Sequence, residues 1–416
     1  MSLIGEFSPP GDKSISHRVA LMALVAQGTT RATNMSDGDD VATSLKAVSL
    51  LGAKVAREQG SYVIQGGPPG KELALSIDCG NSGTTTRLLI GLLAGLPGTF
   101  TLSGDESLNR RPMERVAIPL RLMGGKISTQ NGRPPVIIRG TTLKGVEYRL
   151  PVASAQLKSA ILLAGLFADG PTTVIEPIPS RDHTERMIQL FGGSIKVDGE
   201  RITVRRSPLI YTPDFRVPSD ISSAAFFLCA AAVMPGSKVT ATGVLLNPTR
   251  TGFLNVLQRM GADMDIQETS REPEPVGDVT VSYSPNLKAA TIPPEEIPQL
   301  VDEVPILALA ASQAHGRTVF QGAGELRVKE TDRLTAVADQ LGAMGAMITV
   351  DGDSLIIDGP TPLTTPDRLE SYGDHRMAMT LRLASRLAGR DGLIVDENCA
   401  AISYATFHQD LERMWK

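Results

Sequence analysis

The sequence predicts an α/β protein built from six copies of one helix–strand repeat. Six Ala/Leu-rich segments each begin at a polar residue, end at a glycine and continue into a short β-branched run. A second kind of helix, amphipathic and also ended by a glycine, recurs between them. A recurrence at a fixed period indicates repeated supersecondary structure. The 416 residues therefore divide into six repeats of about 70 residues, which form two groups of three.

In each repeat, the first helix has an N-cap residue type at its start and a glycine at its end. Ser, Asn and Asp side chains accept hydrogen bonds from the free N–H groups at a helix start, and glycine adopts the left-handed conformation that ends a helix. Each segment is long enough for roughly three to four turns. The six segments are 14–28, 81–95, 154–170, 219–236, 302–316 and 374–389.

The remaining elements of each repeat follow in a constant order. Short β-branched runs predict strands at 29–33, 99–102, 172–175, 239–242, 318–320 and 393–395. Glycine-containing triplets end the second helices at 51–53, 123–125, 191–193, 260–262 and 344–346, and the tail 406–416 supplies the sixth. In the helix before 344, Leu334, Val337 and Leu341 share one face. The predicted order is helix, strand, helix, and then one or two strands.

Composition is typical of a packed protein without membrane or nucleic-acid contacts. Apolar residues make up 42% and aromatic residues only 4%, and the net charge is −4, which gives no general attraction to nucleic acid. The longest apolar run, 224–234, is too short to span a membrane, and the N-terminus shows no signal-peptide pattern. Cys79, Cys229 and Cys399 are isolated, as in reduced proteins. We therefore expect a cytoplasmic protein.

Positive charge gathers at the predicted helix starts although the chain is slightly acidic. The basic openings are 11–18, 80–87, 110–115, 180–183, 327–333 and 372–376. Lys and Arg oppose the helix dipole there, whereas a bound anion is favoured by it. Surface i,i+4 pairs would explain any one opening, but they stabilise by only a few tenths of a kcal/mol and do not explain six equivalent positions. The pattern predicts a site for a small polyanion, with about 1.5–3 kcal/mol from each charge-assisted hydrogen bond.

Other anion-binding and catalytic motifs fit less well. The tetrapeptide Gly-Asp-Lys-Ser at 11–14 lacks the contiguous Gly-Lys-Ser of a P-loop. The five histidines lack the spacing of zinc ligands, so no metal is expected. Ser14 and Ser154 have no Ser/His/Asp context and are better interpreted as N-caps that can also hydrogen-bond an anion.

Six short segments carry a more specific signal. They are Lys-Ser-Ile-Ser-His-Arg at 13–18, Asn-Ser-Gly-Thr at 81–84, Arg-Arg-Pro-Met at 110–113, Ala-Ser-Ala-Gln at 153–156, Arg-Val-Lys-Glu-Thr-Asp-Arg at 327–333 and Asp-His-Arg at 374–376. In this order, and across nearly the whole chain, they resemble the 5-enolpyruvylshikimate-3-phosphate (EPSP) synthase family, in the branch called class II. The stretch 327–333 is the most specific of them.

The resemblance implies a fold as well as a family. That fold is a two-domain inside-out α/β barrel with six βαβαββ repeats, three in each domain, which agrees with the repeats found independently. Two crossovers are expected, near Lys13 and near 217–218. The expected domains are 14–217 and, discontinuously, 1–13 with 218–416, with the active site in the cleft between them.

The resemblance also implies a reaction. The enolpyruvyl group of phosphoenolpyruvate is transferred to the 5-hydroxyl of shikimate 3-phosphate, and phosphate is released, in the shikimate pathway of aromatic amino acid biosynthesis. Addition and elimination through a tetrahedral intermediate require at least one general base and one general acid. The implied enzyme is a monomer that uses no cofactor and is inhibited by glyphosate.

Family roles are assigned to residues that match the family motifs. Shikimate 3-phosphate is expected to bind Lys13, Ser14, Arg18, Ser154, Gln156, Arg181, Asp302 and Lys329. Phosphoenolpyruvate is expected to bind Lys13, Gly83, Arg111, Gln156, Arg333 and Arg376. The catalytic residues are expected to be Lys13, Asp302 and Glu330. The ordinary alternatives are an N-cap for Asp302 and a helix salt bridge for Glu330. Gly83 has its own physical reason, because backbone N–H groups without a neighbouring Cβ can approach a phosphate closely.

Several positions depart from the family, among them Ala155, Glu325, Ile402 and Ala405, and two alternative functions remain. Ile402 stands where many relatives place a phosphate-binding lysine, so that contact is not assigned. The enolpyruvyl transferase that acts on UDP-N-acetylglucosamine should show Lys-Asn near the N-terminus and a reactive cysteine in a mobile loop. Here the pair is Lys13-Ser14, and Cys229 lies in an apolar segment. A non-catalytic anion-binding protein, or a relative of RNA 3′-phosphate cyclases, is disfavoured by the catalytic carboxylates and the acidic charge.

Overall fold

The computed structural model describes residues 2–67, 72–210 and 214–416. The chain forms two compact units, a continuous unit of Gly11–Val217 and a discontinuous unit of Met1–Pro10 with Pro218–Lys416. Both contain helices and small mixed sheets, so the predicted α/β class is confirmed. Among the described residues, no helix has both the length and the apolarity needed to cross a bilayer.

Strand β1 (Ile4–Phe7) opens the chain, and the continuous unit follows it. The strands of this unit are β2 (Gly28–Thr33), β3 (Lys54–Glu58), β4 (Ser61–Gly66), β5 (Leu73–Asp78), β6 (Gly98–Ser103), β7 (Lys126–Gln130), β8 (Arg133–Arg139), β9 (Glu147–Arg149), β10 (Thr172–Ile175), β11 (Ile195–Asp198), β12 (Arg201–Val204) and β13 (Phe215–Arg216). Its helices are α1 (Lys13–Val25), α2 (Asp39–Leu50), α3 (Gly83–Ala94), α4 (Glu106–Arg110), α5 (Glu114–Leu122), α6 (Ala155–Gly165) and α7 (His183–Leu190). The described residues of this unit form three four-stranded sheets, in the orders β13-β2-β4-β3, β5-β6-β8-β7 and β11-β12-β10-β9.

The discontinuous unit repeats this plan. Its later strands are β14 (Lys238–Leu245), β15 (Asp263–Ser270), β16 (Val276–Ser282), β17 (Thr291–Ile292), β18 (Gly316–Phe320), β19 (Met347–Asp351), β20 (Ser354–Gly359), β21 (Arg368–Glu370) and β22 (Leu393–Val395). Its helices are α8 (Ile221–Val233), α9 (Gly252–Met260), α10 (Val304–Ser312), α11 (Arg333–Ala343), α12 (His375–Leu387) and α13 (Phe407–Met414), with 3-10 helices at Ile297–Gln299, Gly324–Val328 and Glu397–Ile402. The sheet orders are β1-β14-β16-β15, β17-β18-β20-β19 and β21-β22.

Every four-stranded sheet has the same pairing pattern. In the β5–β8 sheet, β5 and β6 are parallel, with Leu73 opposite Gly98, and α3 connects them. Strand β8 then pairs antiparallel with both β6 and β7. A parallel pair needs a long crossover, which the helix supplies, whereas the antiparallel pair is joined by a short turn. The chain therefore realises a βαβαββ repeat.

In two of the repeats, the opening strand comes from a distant part of the chain. The first repeat lacks an opening strand of its own and obtains it from β13, which pairs with β2 so that Phe215 lies opposite Ala32. The fourth repeat obtains its opening strand from β1, which pairs with β14 so that Ile4 lies opposite Lys238. The backbone N–H of Asp220 donates to the carbonyl of Pro10 at 2.8 Å, which joins the two parts of the discontinuous unit.

The first helix of each repeat lies in the interior of its unit. Every residue of α8 is buried, which is possible because its sequence is apolar on all sides. In the continuous unit, α3 contacts α6 so closely that a Cβ on Gly91 would lie 2.2 Å from the Ala160 carbonyl oxygen. Only glycine permits that backbone contact. These buried helices fix the positions of the helix starts that carry the predicted site.

The structure corrects some of the predicted helix starts. Ser14 is not an N-cap, because Asp12 caps α1 and accepts from the backbone N–H of Ile15 at 2.8 Å. Asp220 caps α8 in the same way. The prediction for Ser154 is confirmed, since its hydroxyl caps α6. Helices therefore begin within about two residues of the predicted positions, as is usual for helix ends.

Candidate active site

Lys13 is the first residue of α1, and an ion pair fixes its side chain. Its Nζ lies 3.0 Å from Oδ2 of Asp40, which belongs to the first turn of α2. Both side chains are largely buried, so this pair is less screened than a surface pair. Asp40 was absent from the predicted set because acidic residues in a first turn are ordinary complements of the helix dipole.

Arg18 is buried and donates hydrogen bonds to three helices. Its Nε donates to Oγ1 of Thr184 at 2.7 Å, and its Nη2 donates to Oγ of Ser159 at 2.8 Å. Its Nη1 donates to the backbone carbonyl of Ser14, also at 2.8 Å. These bonds connect α1, α6 and α7, so the direction of the guanidinium is set by the packing of the unit.

Two other predicted shikimate 3-phosphate ligands are Arg181, which lies close to Ser14, and Ser154, which begins the helix that Arg18 contacts through Ser159. Arg181 lies just before α7, and its Nη1 is 3.5 Å from Oγ of Ser14. Ser154 lies at the start of α6, where its Oγ accepts from the N–H of Leu157 at 3.4 Å. Arginine side chains and helix starts are the groups that proteins use to bind phosphate.

Gly83, Gln156 and their neighbours form a second group. Gly83 is the first residue of α3, which is capped by Ser82. The Gln156 carbonyl oxygen accepts from Nη1 of Arg87 at 2.5 Å, and its amide nitrogen donates to Oγ1 of Thr84 at 2.9 Å. The two contacts fix which way the Gln156 amide points. The predicted ligands Gly83 and Gln156 are therefore held together by residues of α3.

Arg111 joins this second group. It follows α4, is buried, and its Nη2 donates to Oδ1 of Asn81 at 2.6 Å. A Cβ added to Gly83 would lie 3.1 Å from Nη1 of Arg111 and 3.2 Å from Nη1 of Arg87. Since those separations are tighter than ordinary van der Waals contact, the glycine leaves room for two guanidinium groups.

In the discontinuous unit, Arg333 connects three carboxylates. It is the first residue of α11 and is almost fully buried. Its Nε donates to Oδ2 of Asp374 at 2.7 Å, its Nη1 to Oδ1 of Asp302 at 3.1 Å, and its Nη2 to Oε2 of Glu330 at 2.5 Å. Burial by itself would lower the pKa of Arg333, but the three carboxylates raise this pKa well above its ordinary value. The guanidinium stays charged.

Asp302 is not the N-cap, and Glu330 does not form the salt bridge within a helix, that were the ordinary alternatives for these two residues. The N-cap residue of α10 is Glu303, so Asp302 does not cap that helix. Glu330 precedes α11 and is therefore not part of a pair within the helix. Both carboxylates instead receive hydrogen bonds from Arg333, and Oδ2 of Asp302 also lies 3.6 Å from Nη2 of Arg376.

Asp374 and Lys329 complete this group. Asp374 caps α12 by accepting from the backbone N–H of Arg376 at 2.9 Å, so the same carboxylate orients Arg333 and the start of α12. Burial lowers the pKa of Lys329, and the negative charge of Asp302 partly opposes this shift. The predicted residues of this unit, Asp302, Lys329, Glu330, Arg333 and Arg376, thus form one cluster of alternating charge.

Three charged residues outside the predicted set hold the predicted ones in place. They are Asp40, Arg87 and Asp374, and all three are buried. Their charges were visible in the sequence, since each lies at or near the start of a helix. What the pattern did not indicate is that they would bind other site residues rather than a ligand or solvent.

Comparisons with known proteins agree over the full length. The sequence model of the family described as EPSP synthase (3-phosphoshikimate 1-carboxyvinyltransferase) matches residues 1–411. A 3-phosphoshikimate 1-carboxyvinyltransferase of Geobacillus kaustophilus is 46% identical, and the alignment covers 99% of this chain and 98% of the relative. A protein of the same name from Anaeromyxobacter sp. is 47% identical, with 99% and 94% covered.

Solved structures share the fold. The EPSP synthase of Acinetobacter baumannii superposes with a TM-score of 0.85 at 41% identity, covering 99% of this chain and 96% of that one. The enolpyruvyl transferase NikO of Streptomyces tendae has the same fold, with a TM-score of 0.80 at 19% identity and 99% and 95% coverage. The family match, the full-length identity and the shared fold together place the chain in the EPSP synthase (3-phosphoshikimate 1-carboxyvinyltransferase) family.

Proposed function

We propose that the chain transfers the enolpyruvyl group of phosphoenolpyruvate to the 5-hydroxyl of shikimate 3-phosphate and releases phosphate. The observation that carries the proposal is that Arg333 binds both Asp302 and Glu330, in a chain that matches the family throughout. The two carboxylates are thereby presented in fixed directions by one buried cation. Such a pair fits a reaction that needs one proton removed and another supplied.

The proposed ligands fall into sets that agree with the contacts within each unit. Shikimate 3-phosphate is bound by Lys13, Ser14, Arg18, Ser154, Gln156, Arg181, Asp302 and Lys329. Phosphoenolpyruvate is bound by Lys13, Gly83, Arg111, Gln156, Arg333 and Arg376. The first set is supported by the neighbourhood of Ser14, Arg18 and Arg181, and the second by that of Gly83, Arg111 and Gln156. Each set names residues of both units.

The proposed chemistry has two steps. In the addition, the substrate hydroxyl loses its proton as its oxygen bonds to C2 of phosphoenolpyruvate, and the C3 methylene gains a proton to become a methyl group. In the elimination, the C2–O bond to phosphate breaks, and the methyl group loses a proton to restore the methylene. Asp302 and Glu330 exchange these protons, and Lys13 stabilises the developing negative charge. These steps need no metal or cofactor.

Phosphate release tests the proposal directly. We expect phosphate to be liberated from phosphoenolpyruvate when shikimate 3-phosphate is present and not when UDP-N-acetylglucosamine replaces it. The reason is that the proposed ligands Arg18 and Arg181 provide buried or half-buried cations for a phosphate monoester. Phosphate assay and mass spectrometry of the product measure the result.

Two outcomes would contradict the proposal. Release with UDP-N-acetylglucosamine alone would identify the other enolpyruvyl transfer. Binding of shikimate 3-phosphate in calorimetry, without turnover under any condition, would indicate an anion-binding protein. Glu330→Gln, assayed in parallel, shows how much phosphate release is independent of the proposed site.

We also propose that glyphosate inhibits the reaction by occupying the phosphoenolpyruvate site. Gly83→Ala is then expected to raise both the glyphosate concentration for half inhibition and the KM for phosphoenolpyruvate, each by about tenfold or more. A methyl group at this position would press on the guanidinium groups of Arg111 and Arg87. Inhibition curves at several phosphoenolpyruvate concentrations measure both effects.

Gly342→Ala provides the matched control. A Cβ at this position would meet only the side chain of Ile348, at an ordinary 3.6 Å, and Gly342 lies inside α11. Alanine favours a helix interior, so this variant should keep the wild-type inhibition curve. Equal glyphosate responses for wild type and Gly83→Ala would show that the steric argument is wrong.

The oligomeric state and the cellular location are further proposals. We propose a monomer, as the family resemblance implies, and a cytoplasmic location, supported by three free cysteines. Light scattering after gel filtration measures the first, and fractionation of cells measures the second. A dimer mass or a secreted protein would contradict them.

A further inference from the structure

A buried lysine lies outside every residue set assigned so far. Lys158 belongs to α6, and its Nζ donates to Oε2 of Glu176 at 2.7 Å and lies 2.7 Å from Oε1 of Glu185. The same Nζ is 3.3 Å from the backbone carbonyl of Ser180, whose hydroxyl donates to Glu176. We call these four residues the Lys158 cluster.

The Lys158 cluster is costly to bury. Its three charged side chains are each less than a tenth exposed, and two carboxylates face one ammonium group. Burial by itself would lower the pKa of Lys158, but the charges of Glu185 and Glu176 raise it, so the lysine stays protonated. Apolar residues in such a place commonly give equal or greater stability. A gain in stability therefore does not account for the cluster.

The position of the Lys158 cluster indicates another role. Glu176 directly follows β10, Glu185 is in the first turn of α7, and Ser180 lies between them. One ammonium group thus holds both ends and the middle of the 176–185 segment. The next residue after Ser180 is Arg181, so its backbone is attached to the carbonyl that Lys158 binds.

We propose that Lys158 is a positioning residue, which fixes the backbone on which Arg181 is presented to shikimate 3-phosphate. The inference rests on the proposed function, in which Arg181 is a ligand of that substrate. Lys158 acts from inside the unit, through Glu176, Ser180 and Glu185, without touching substrate. A long arginine side chain needs a fixed backbone because a small displacement at its base moves the guanidinium away from the phosphate.

Steady-state kinetics of Lys158→Met test the proposal. The KM for shikimate 3-phosphate should rise by about tenfold to a hundredfold, whereas kcat and the KM for phosphoenolpyruvate change by no more than about twofold. A general loss of structure would instead lower the amount of active enzyme and leave the KM values alone. Lys196→Met is the matched control, since Lys196 is exposed, forms an ion pair with the exposed Asp198 and should behave as wild type when replaced.

A double-mutant cycle with Arg181→Ala identifies the route of the effect. If Lys158 acts through Arg181, then Lys158→Met should raise the KM for shikimate 3-phosphate by no more than about twofold in the Arg181→Ala background. An equal rise in both backgrounds would overturn the inference and leave the proposed function standing. An unchanged KM in Arg181→Ala alone would overturn both the inference and the assigned role of Arg181.

Ser180→Ala covers the case in which Lys158→Met does not fold. It removes only the hydroxyl that donates to Glu176 and leaves the ion pairs in place. The same selective rise in the KM for shikimate 3-phosphate is expected, smaller in size and again absent beside Arg181→Ala. A KM unchanged from wild type in Ser180→Ala would overturn the proposal.

Discussion

Glu330→Gln and Asp302→Asn should each lower kcat by about 10²–10⁴-fold, because each removes a carboxylate that exchanges a proton in the reaction. The amide keeps the size of the side chain and can still accept from Arg333 through its oxygen. Binding of shikimate 3-phosphate should therefore persist while turnover falls. Rates of phosphate release at saturating substrates, with calorimetric binding on the same samples, measure this separation.

Carboxylates far from this group provide the controls. Asp367→Asn and Glu412→Gln carry the same chemical changes at exposed carboxylates, which pair with Arg390 and Arg386. Their kcat should stay within about twofold of wild type, as is usual for surface substitutions. Nearly normal turnover in both Asp302→Asn and Glu330→Gln would remove these residues from the catalytic assignment.

Arg333→Met should reduce the free energy of unfolding by about 3–5 kcal/mol, because it leaves buried charge without its partner. Asp374 loses its 2.7 Å donor while completely enclosed, and Asp302 and Glu330 lose theirs while mostly enclosed. Because methionine fills much of the arginine volume, the loss of unfolding free energy reflects the missing positive charge and not a cavity. Denaturant titration measures the change.

Two further variants test whether the stability loss of Arg333→Met is caused by buried charge. Arg317→Met breaks an exposed pair with Asp358 and should cost no more than about 1 kcal/mol. Arg333→Met combined with Asp374→Asn removes the most deeply buried uncompensated charge and keeps a side chain that can cap α12, so it should recover part of the loss. A loss no larger than that of Arg317→Met would show that the three carboxylates do not depend on Arg333.

The repeat architecture was predictable because its signals are local. Buried helices that begin near a polar residue and are followed by a glycine recur six times, and β10 and β22 occupy the predicted ranges 172–175 and 393–395. Short helices and strands without such signals could not be predicted from the sequence. Helix α4 has five residues, and β13 and β17 have two each, which is too short for any periodicity. Asp12 replaced Ser14 as a cap because several neighbouring residues can cap one helix.

The residues of the candidate site could be predicted from the sequence, but the hydrogen-bond and ion-pair partners of their side chains could not. Cations at helix starts indicated an anion site, and each predicted residue lies at or near such a start. The choice of partner depends on which helix starts face each other, which no local pattern contains. Arg333 was expected to face a ligand, and the sequence did not indicate that its side chain also binds Asp302, Glu330 and Asp374.

The positions of β1 and β13 in the sequence determine the order in which the two units can fold during synthesis. Every sheet of the continuous unit is complete once β13 has left the ribosome, because all its strands lie within Gly11–Val217. Strand β1 is synthesised first, but its partner β14 begins only at Lys238. Since domains fold as units during translation, the continuous unit can fold while β1 still lacks a neighbour. The first residues made therefore belong to the last unit completed.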